Sequence, residues 1–290
     1  MTRQQQLLAA DLLYAYITGS TLPPGADWQL FEVGCASEQA YADGHIPTAG
    51  YLDTSSFECP PMWNKIPGPQ LLAVLLTKAI RHDRCIVLYS RNSLAAARVA
   101  HLLLYAGVKD VRLLDGGLAA WLAAGLPLST QPPAVRLALN DFGGAFPAHP
   151  EYLIDLPQVE ELLVSRAATL VSIRSWAEYS GKTSAYSYIS ACGEIPGARW
   201  GRAGADGDIN SMSAFQSADG RMKPAAEICQ FWHEAGIRPD QHNVFYCGTG
   251  WRASLAFFYA WCMGWQQISV YDGGWLEWSA KHHAQLPAVA

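Results

Sequence analysis

The feature that most constrains this chain is that it repeats itself. "CIVLYSRNSLAAARVAHLLLYAGVKDVRLLDGGLAAW" (Cys85–Trp121) matches "NVFYCGTGWRASLAFFYAWCMGWQQISVYDGGWLEW" (Asn243–Trp278). Tyr89 pairs with Tyr246, Ser90 with Cys247, Gly107 with Gly264, Asp115 with Asp272 and Trp121 with Trp278, at one spacing and without a gap. Upstream, "LFEVGCASEQAYADGHIPTA" (Leu30–Ala49) parallels "LVSIRSWAEY" (Leu170–Tyr179) followed by "GEIPGA" (Gly193–Ala198). The second copy carries extra residues between Arg174 and its Ile-Pro turn. A repeat this long means two whole domains rather than a solenoid of short units. The Pro- and Gly-bearing stretch 130–152 is expected to link them.

Each copy reads as strand, helix, strand, turn, helix and strand. "CIVLYS" and "NVFYC" are continuous apolar runs, as expected for strands buried on both faces. "AAARVAHLLLYAG" and "ASLAFFYAWCMGW" are apolar all round, which predicts buried helices capped at Gly107 and Gly264. Alternating strands and helices predict an α/β fold, each domain a mainly parallel sheet covered by helices on both faces. In such folds ligands bind beyond the carboxyl ends of the strands, which is where Cys247 falls.

Bulk properties narrow the function. A chain of 290 residues suits two domains. Half the residues are hydrophobic and 16% are charged, so the chain is globular. The net charge of −5, with no block of like charge, gives no general attraction to nucleic acid or an anionic membrane. The opening "MTRQQQLLAADLLYAY" lacks the basic-then-apolar pattern of a signal peptide. No apolar run reaches the roughly 18 residues that span a bilayer. Seven cysteines cannot all pair with one another, and they show no tight metal spacing. A reducing cytoplasm is the expected location.

Cys247 sits where chemistry is expected. Gly248 and Gly250 allow backbone conformations that turn several N–H groups inward, and such a nest binds anions. The helix that follows adds a partial positive charge at its N-terminus, and Arg252 adds a full one. All three favour thiolate over thiol, and thiolate is the nucleophile. The plainer alternative, a small buried hydrophobe at a strand end, leaves the glycines and Arg252 unexplained. The first copy is an internal control. Its loop "SRNSLA" (Ser90–Ala95) has a hydroxyl for the sulfur and no glycines, and Gly34 stands where the second copy has Arg174. Thiol, glycines and arginine are lost together, which places Arg174 near Cys247 as a cation for an anionic substrate.

With its two similar halves, "GHIP" (Gly44–Pro47), "GEIPGA", "LLDGGLAAW" and "VYDGGWLEW", the chain resembles the tandem-domain rhodanese family of sulfurtransferases from about Leu30 to Trp278. The resemblance implies an inactive domain over 1–130, a linker over 131–152 and a catalytic domain over 153–290. It also implies that Cys247 heads a six-residue loop, "CGTGWR", and takes a sulfane sulfur from thiosulfate or 3-mercaptopyruvate as a persulfide. An acceptor such as cyanide or a thiol, including a thiol on a protein, then removes it. Gly248, Thr249, Gly250, Trp251, Arg252 and Arg174 are the implied substrate-binding residues. No metal or organic cofactor is required. "CGTG" resembles the loop of 3-mercaptopyruvate users, whereas Arg252 resembles the cationic loops of thiosulfate users. Arg252 with Arg174 favours the inorganic dianion. The family usually has an Asp two residues before the arginine; here Ser172 stands in its place, with Glu32 at the matching position of the first half.

Weaker features receive plainer readings. Asp115 and Asp272 occur in both copies and suit a turn. His45, before the first Ile-Pro turn, reads as a turn histidine or as a neighbour of the active site. Lys182, in the extra segment of the second copy, is a candidate second cation. Cys229 and His233 lie four apart on a helix, too few ligands for a metal. Cys262 is a core residue, and His282 and His283 have no evident partner. Two rival functions share the cradle chemistry. A cysteine phosphatase needs one more residue than the four between Cys247 and Arg252. A sulfur carrier or persulfide sensor would be distinguished by slow turnover with small donors.

Overall fold

The computed structural model describes residues 3–21, 23 and 27–282. It divides into two units. The first comprises residues up to Cys59, Lys65–Pro150 and Asp219–Arg221, and the second comprises Pro60–Asn64, Glu151–Ala218 and the residues from Met222 onward. The segment 131–150 groups with the first unit.

The first unit is built on strands β1 (Leu7–Leu8), β2 (Trp28–Gly34), β3 (Gly50–Asp53), β4 (Cys85–Tyr89) and β5 (Asp110–Leu114), in the order β1-β5-β4-β2-β3. All pairings are parallel. The second is built on β6 (Leu153–Ile154), β7 (Thr169–Ser172), β8 (Arg199–Trp200), β9 (Asn243–Tyr246) and β10 (Ile268–Tyr271), again all parallel, in the order β6-β10-β9-β7-β8. Matched strands hold matched places in the two sheets, as the repeat requires. The middle strands β4 and β9 are buried at every residue, which explains why they read as unbroken apolar runs rather than alternating ones.

The α-helices among the described residues are α1 (Ala10–Ile17), α2 (Glu38–Asp43), α3 (Gly68–Thr77), α4 (Ser93–Ala106), α5 (Gly117–Ala123), α6 (Leu156–Ser165), α7 (Trp176–Tyr179), α8 (Ala225–Glu234), α9 (Trp251–Cys262) and α10 (Gly274–His282), with α4 and α9 following the two middle strands. Every residue of α9 from Arg252 to Cys262 is buried, so its apolar surface is continuous around the axis. α4 ends at Gly107 in the left-handed conformation (φ 108°), and Gly264, just beyond α9, has φ 90°. The Asp-Gly-Gly turns lead into α5 (Gly117–Ala123) and α10 (Gly274–His282). Their tryptophans Trp121 and Trp278 are buried in the cores of their own units.

Both Asp residues of those turns do the same backbone work: Asp115 N–H donates to the Leu8 carbonyl (2.9 Å) and Asp272 N–H to the Ile154 carbonyl (3.2 Å). Among the described residues no helix is long and apolar enough to cross a membrane.

Candidate active site

Cys247 is the first residue after β9, the middle strand of the second sheet. Its loop is fixed by the turn before α10. The Cys247 carbonyl accepts from Trp275 N–H (2.7 Å) and the Gly248 carbonyl from Leu276 N–H (3.1 Å). Gly274 makes this approach possible, because a β-carbon there would lie 2.6 Å from the Cys247 carbonyl oxygen, and its φ is +55°. The first unit repeats the device: Leu118 N–H donates to the Ser90 carbonyl (3.1 Å), and a β-carbon on Gly117 would lie 2.6 Å from that oxygen. The loop closes at Gly250, which caps α9 in a left-handed conformation. The Gly250 carbonyl accepts from both the N–H and the Oγ of Ser254, each at 2.8 Å. Residues 247–250 are all buried, Cys247 to 1% exposure, while Trp251 is half-buried.

Arg252 does not present a free cation to this loop. Its Nη1 and Nη2 donate to the two carboxylate oxygens of Glu178, each at 2.8 Å, and Nη2 also donates to the Tyr186 hydroxyl (3.0 Å). Both members of this ion pair are buried. Burial alone would push the Glu178 carboxyl up; the Arg252 hydrogen bonds and the charges of Arg252 and Arg174 outweigh it and hold Glu178 below the usual carboxylate range. The full charge expected at Arg252 is present but paired: a buried charge is tolerated only with a partner, and Glu178 is that partner. Glu178 does a second job. It closes a capping box with Ser175 at the start of α7 (Trp176–Tyr179), accepting from Ser175 N–H (3.0 Å).

Arg174 lies just before that helix and is fully buried. Nη1 donates to the Gly193 carbonyl (2.8 Å), the guanidinium lies 4.9 Å from the Trp275 ring centroid, and the Glu178 and Glu194 carboxylates are each 3.5 Å away. Trp275 thus touches both the Arg174 guanidinium and, through its backbone, Cys247. Arg174 Nη2 is buried and has no hydrogen-bond partner among the described residues.

The extra segment of the second copy supplies the wall. Tyr186 covers Gly248 so closely that a β-carbon there would lie 2.3 Å from the ring. Tyr188 packs edge-on against Tyr186, with centroids 5.4 Å apart. Burial pushes the Tyr186 hydroxyl up, so it stays protonated.

The departure at Ser172 is compensated from elsewhere. Ser172 Oγ donates to Glu194 Oε2 (2.6 Å), and the Tyr246 hydroxyl donates to Glu194 Oε1. In the first unit the carboxylate comes instead from β2: the Tyr89 hydroxyl donates to Glu32 Oε2 (2.7 Å). The first unit's loop differs in its side chains. Arg91, at the place of Gly248, bonds Glu32 (2.7 Å) and the Ala40 and Gly44 carbonyls (2.7 and 2.6 Å), while the Ser90 hydroxyl bonds the Asn92 carbonyl.

Of the remaining residues marked in the sequence, Thr249 is buried in the loop and Lys182 is exposed. His45 is held within its own unit, one ring nitrogen against the Tyr41 carbonyl (2.9 Å) and the other against the Gln131 carbonyl (3.0 Å). Cys229 Sγ lies 3.6 Å from Met263 Sδ, and His233 meets Arg238. His282 has a partner after all, Glu160 at 2.9 Å, and His283 lies outside the described residues. None of the seven cysteines is in a disulfide. Among the described residues no group of three or more His, Cys, Asp or Glu is placed to hold a metal. Glu178, Tyr186, Glu194 and Trp275 were not singled out from the sequence. Only the Ser-x-x-Glu spacing at Ser175–Glu178 signalled one of them.

Two parallel α/β units of one strand order, one with a cysteine and one with a serine after the middle strand, define a tandem of rhodanese-like domains. The family's model matches residues 25–124 and 155–281, and the chain belongs to the rhodanese-like domain family. The thiosulfate sulfurtransferase YnjE of Escherichia coli (strain K12) is 50% identical over 260 residues, covering 90% of this chain and 59% of that protein. The chain thus spans less than two thirds of that relative's length. The crystal structure of YnjE superposes with a TM-score of 0.92 at 47% identity, covering 98% of this chain and 68% of that one. A structure of EanB carrying a cysteine persulfide with ergothioneine superposes with a TM-score of 0.92 at 34% identity, covering 99% of this chain and 71% of that one. The 3-mercaptopyruvate sulfurtransferase of Escherichia coli (strain K12) is 26% identical over 253 residues, covering 86% of this chain and 84% of that one.

Proposed function

We propose that this protein is a sulfurtransferase that moves a sulfane sulfur from thiosulfate, or from 3-mercaptopyruvate, to a thiophilic acceptor such as cyanide or a thiol, through a persulfide on Cys247. The observation that carries the reading is the contrast between the two loops. Cys247 heads a buried loop with glycines at 248 and 250, while Ser90 carries no thiol and is followed by the exposed Arg91, whose guanidinium bonds Glu32 and the Ala40 and Gly44 carbonyls. Family membership and the similarity to YnjE support the same chemistry.

In the first step the Cys247 sulfur attacks the outer sulfur of thiosulfate. A new S–S bond forms, the bond to the sulfonate sulfur breaks, and sulfite leaves with the electron pair. In the second step the acceptor attacks the outer sulfur of the persulfide and the electron pair returns to Cys247. Splitting the transfer in this way is what a covalent nucleophile offers. The unpartnered Nη2 of Arg174 suits the sulfonate of the donor. Arg252 and Glu178 position the loop rather than bind the anion. Cysteines without disulfides, three of them exposed, suit a reducing compartment such as the cytoplasm.

An aromatic sulfur acceptor or donor is a second reading, favoured by the Tyr186–Tyr188 wall beside the loop and by the ergothioneine held in the EanB structure. Intact-mass measurement after treatment with thiosulfate, 3-mercaptopyruvate or ergothioneine tests both. A gain of one sulfur atom that is absent in Cys247→Ser is expected, and the donor that loads fastest decides between the readings. No gain with any donor would sink both.

A further inference from the structure

The second sheet has an open edge. β8 pairs with β7, and no strand among the described residues lies on its other side. Gly201 N–H donates to the Ser172 carbonyl of β7 (2.9 Å). In an extended strand the backbone groups of successive residues point to alternate sides. Those of Arg199 and Gly201 therefore face β7, and the N–H and carbonyl of Trp200 face away from it. Neither is bonded elsewhere among the described residues. A groove of about 690 Å³ follows this edge, and the loop 247–252 is not part of its lining.

The two walls of the groove differ in chemistry. Arg199 and Trp200 are successive strand residues, so their side chains leave opposite faces of the sheet. The Trp200 ring turns to α7, where it meets Trp176 (centroids 4.8 Å apart) and Tyr179 (6.2 Å). Trp176 is 47% exposed, an aromatic surface left uncovered. Arg199 turns to the end of α8, where Nη1 donates to the Ala235 carbonyl (3.0 Å). Arg202 lies across the edge, its guanidinium 4.8 Å from the Phe231 ring centroid and 5.6 Å from that of Trp200. Its backbone is held in the left-handed region, at φ 65°, a conformation that costs a non-glycine residue energy. Glu234, the one carboxylate among the described lining residues, is 3.8 Å from Arg202 and too far for a hydrogen bond. Two guanidinium groups against one carboxylate leave the groove positive.

We propose that this edge receives an extended segment of a partner protein in which acidic and apolar residues alternate. The segment adds a strand beside β8, and its backbone pairs with the N–H and carbonyl of Trp200. Its apolar side chains cover Trp176, and its carboxylates meet Arg202 and Arg199. The alternation follows from the geometry: a strand has a period of two, and here one side of the edge is aromatic and the other cationic. Docking is independent of sulfur transfer.

Fluorescence anisotropy of labelled peptides titrated with the full chain tests this. The probe is acetyl-Glu-Val-Glu-Val-Glu amide. The parent is expected to bind it about tenfold more tightly than acetyl-Gln-Val-Gln-Val-Gln amide, the worth of one charge-assisted contact. A peptide of the same composition in blocks, acetyl-Glu-Glu-Glu-Val-Val amide, and the probe N-methylated at its central residues are each expected to bind more weakly than the probe. The first loses the alternation and the second the backbone donors. Arg202→Gln is expected to remove the preference for Glu over Gln, and Trp176→Ala to weaken every peptide. Cys247→Ser is expected to bind like the parent. Equal affinity of the parent for the Glu and Gln peptides, for the alternating and block peptides, or for the plain and N-methylated ones would overturn the proposal, as would no saturable binding in the millimolar range. These comparisons use the parent alone, so they decide even where a variant does not fold.

Discussion

Tyr186 occupies the space that a side chain at position 248 would need: a β-carbon on Gly248 would lie 2.3 Å from Cζ of its ring. The glycine that follows Cys247 is therefore required by a residue of the inserted segment. Gly248→Ala is expected to destabilise the protein by about 1–3 kcal/mol, the usual cost of forcing extra volume into a packed site. Tyr186→Ala in the same chain is expected to recover part of that loss. Denaturant unfolding of both single variants and the double variant measures the coupling; strictly additive effects would show that the two residues do not touch.

Glu178 carries the balance of the buried charges. Glu178→Gln leaves Arg252 without its counter-ion and is expected to cost about 3–5 kcal/mol. Glu178→Gln with Arg252→Met, which removes both charges, is expected to cost less than Glu178→Gln alone. The carboxyl is held below its ordinary value of 4.5. Its contribution is therefore fully present above that pH and is lost as pH falls through the lower folded value. Acid unfolding of the parent should show this loss, and Glu178→Gln should flatten it.

Glu194 should behave oppositely. Burial raises its carboxyl above the ordinary 4.5, against the pull of Arg174, Ser172 and Tyr246. The neutral form is favoured in the folded chain, so stability attributable to this group falls as pH rises from its unfolded value toward its folded one. Glu194→Gln is expected to hold or gain stability relative to the parent as pH rises above the ordinary carboxylate value of 4.5. Chemical unfolding at several pH values decides it; a pH-independent loss would place the negative charge, rather than the neutral acid, in the native network.

Arg174 is expected to separate donor binding from loop integrity. Arg174→Gln removes the unpartnered Nη2 donor, and the rate of sulfur loading from thiosulfate should drop about a hundredfold, as for loss of a charge-assisted contact of about 3 kcal/mol. Stopped-flow loading, with cyanide discharge measured separately on preloaded protein, is the check. The discharge step should change less, because sulfite has already left.

The repeat in the sequence was enough to foresee two parallel sheets of one design, because a strand buried on both faces and a helix buried all round leave unmistakable apolar runs at β4, β9, α4 and α9. It also put Cys247 at the end of a strand and the start of α9 four residues later. The partners of the arginines were not legible. Glu178 meets Arg252 across 74 positions, and no local periodicity reports on such a contact. Tyr186 belongs to a segment without a counterpart in the first copy, so the internal comparison was silent about it. Ser172 looked like a lost acid because its replacement, Glu194, enters from a different element.

That relocation limits how the two halves recombine. Glu32 reaches Tyr89 from a strand, whereas Glu194 reaches Tyr246 from the residue before the Ile-Pro turn, where the first half has His45. A crossover between strand and turn would give one hybrid with two acids crowding a single phenol and a reciprocal hybrid with none. Homologous as they are, the halves have become unable to exchange parts at that junction.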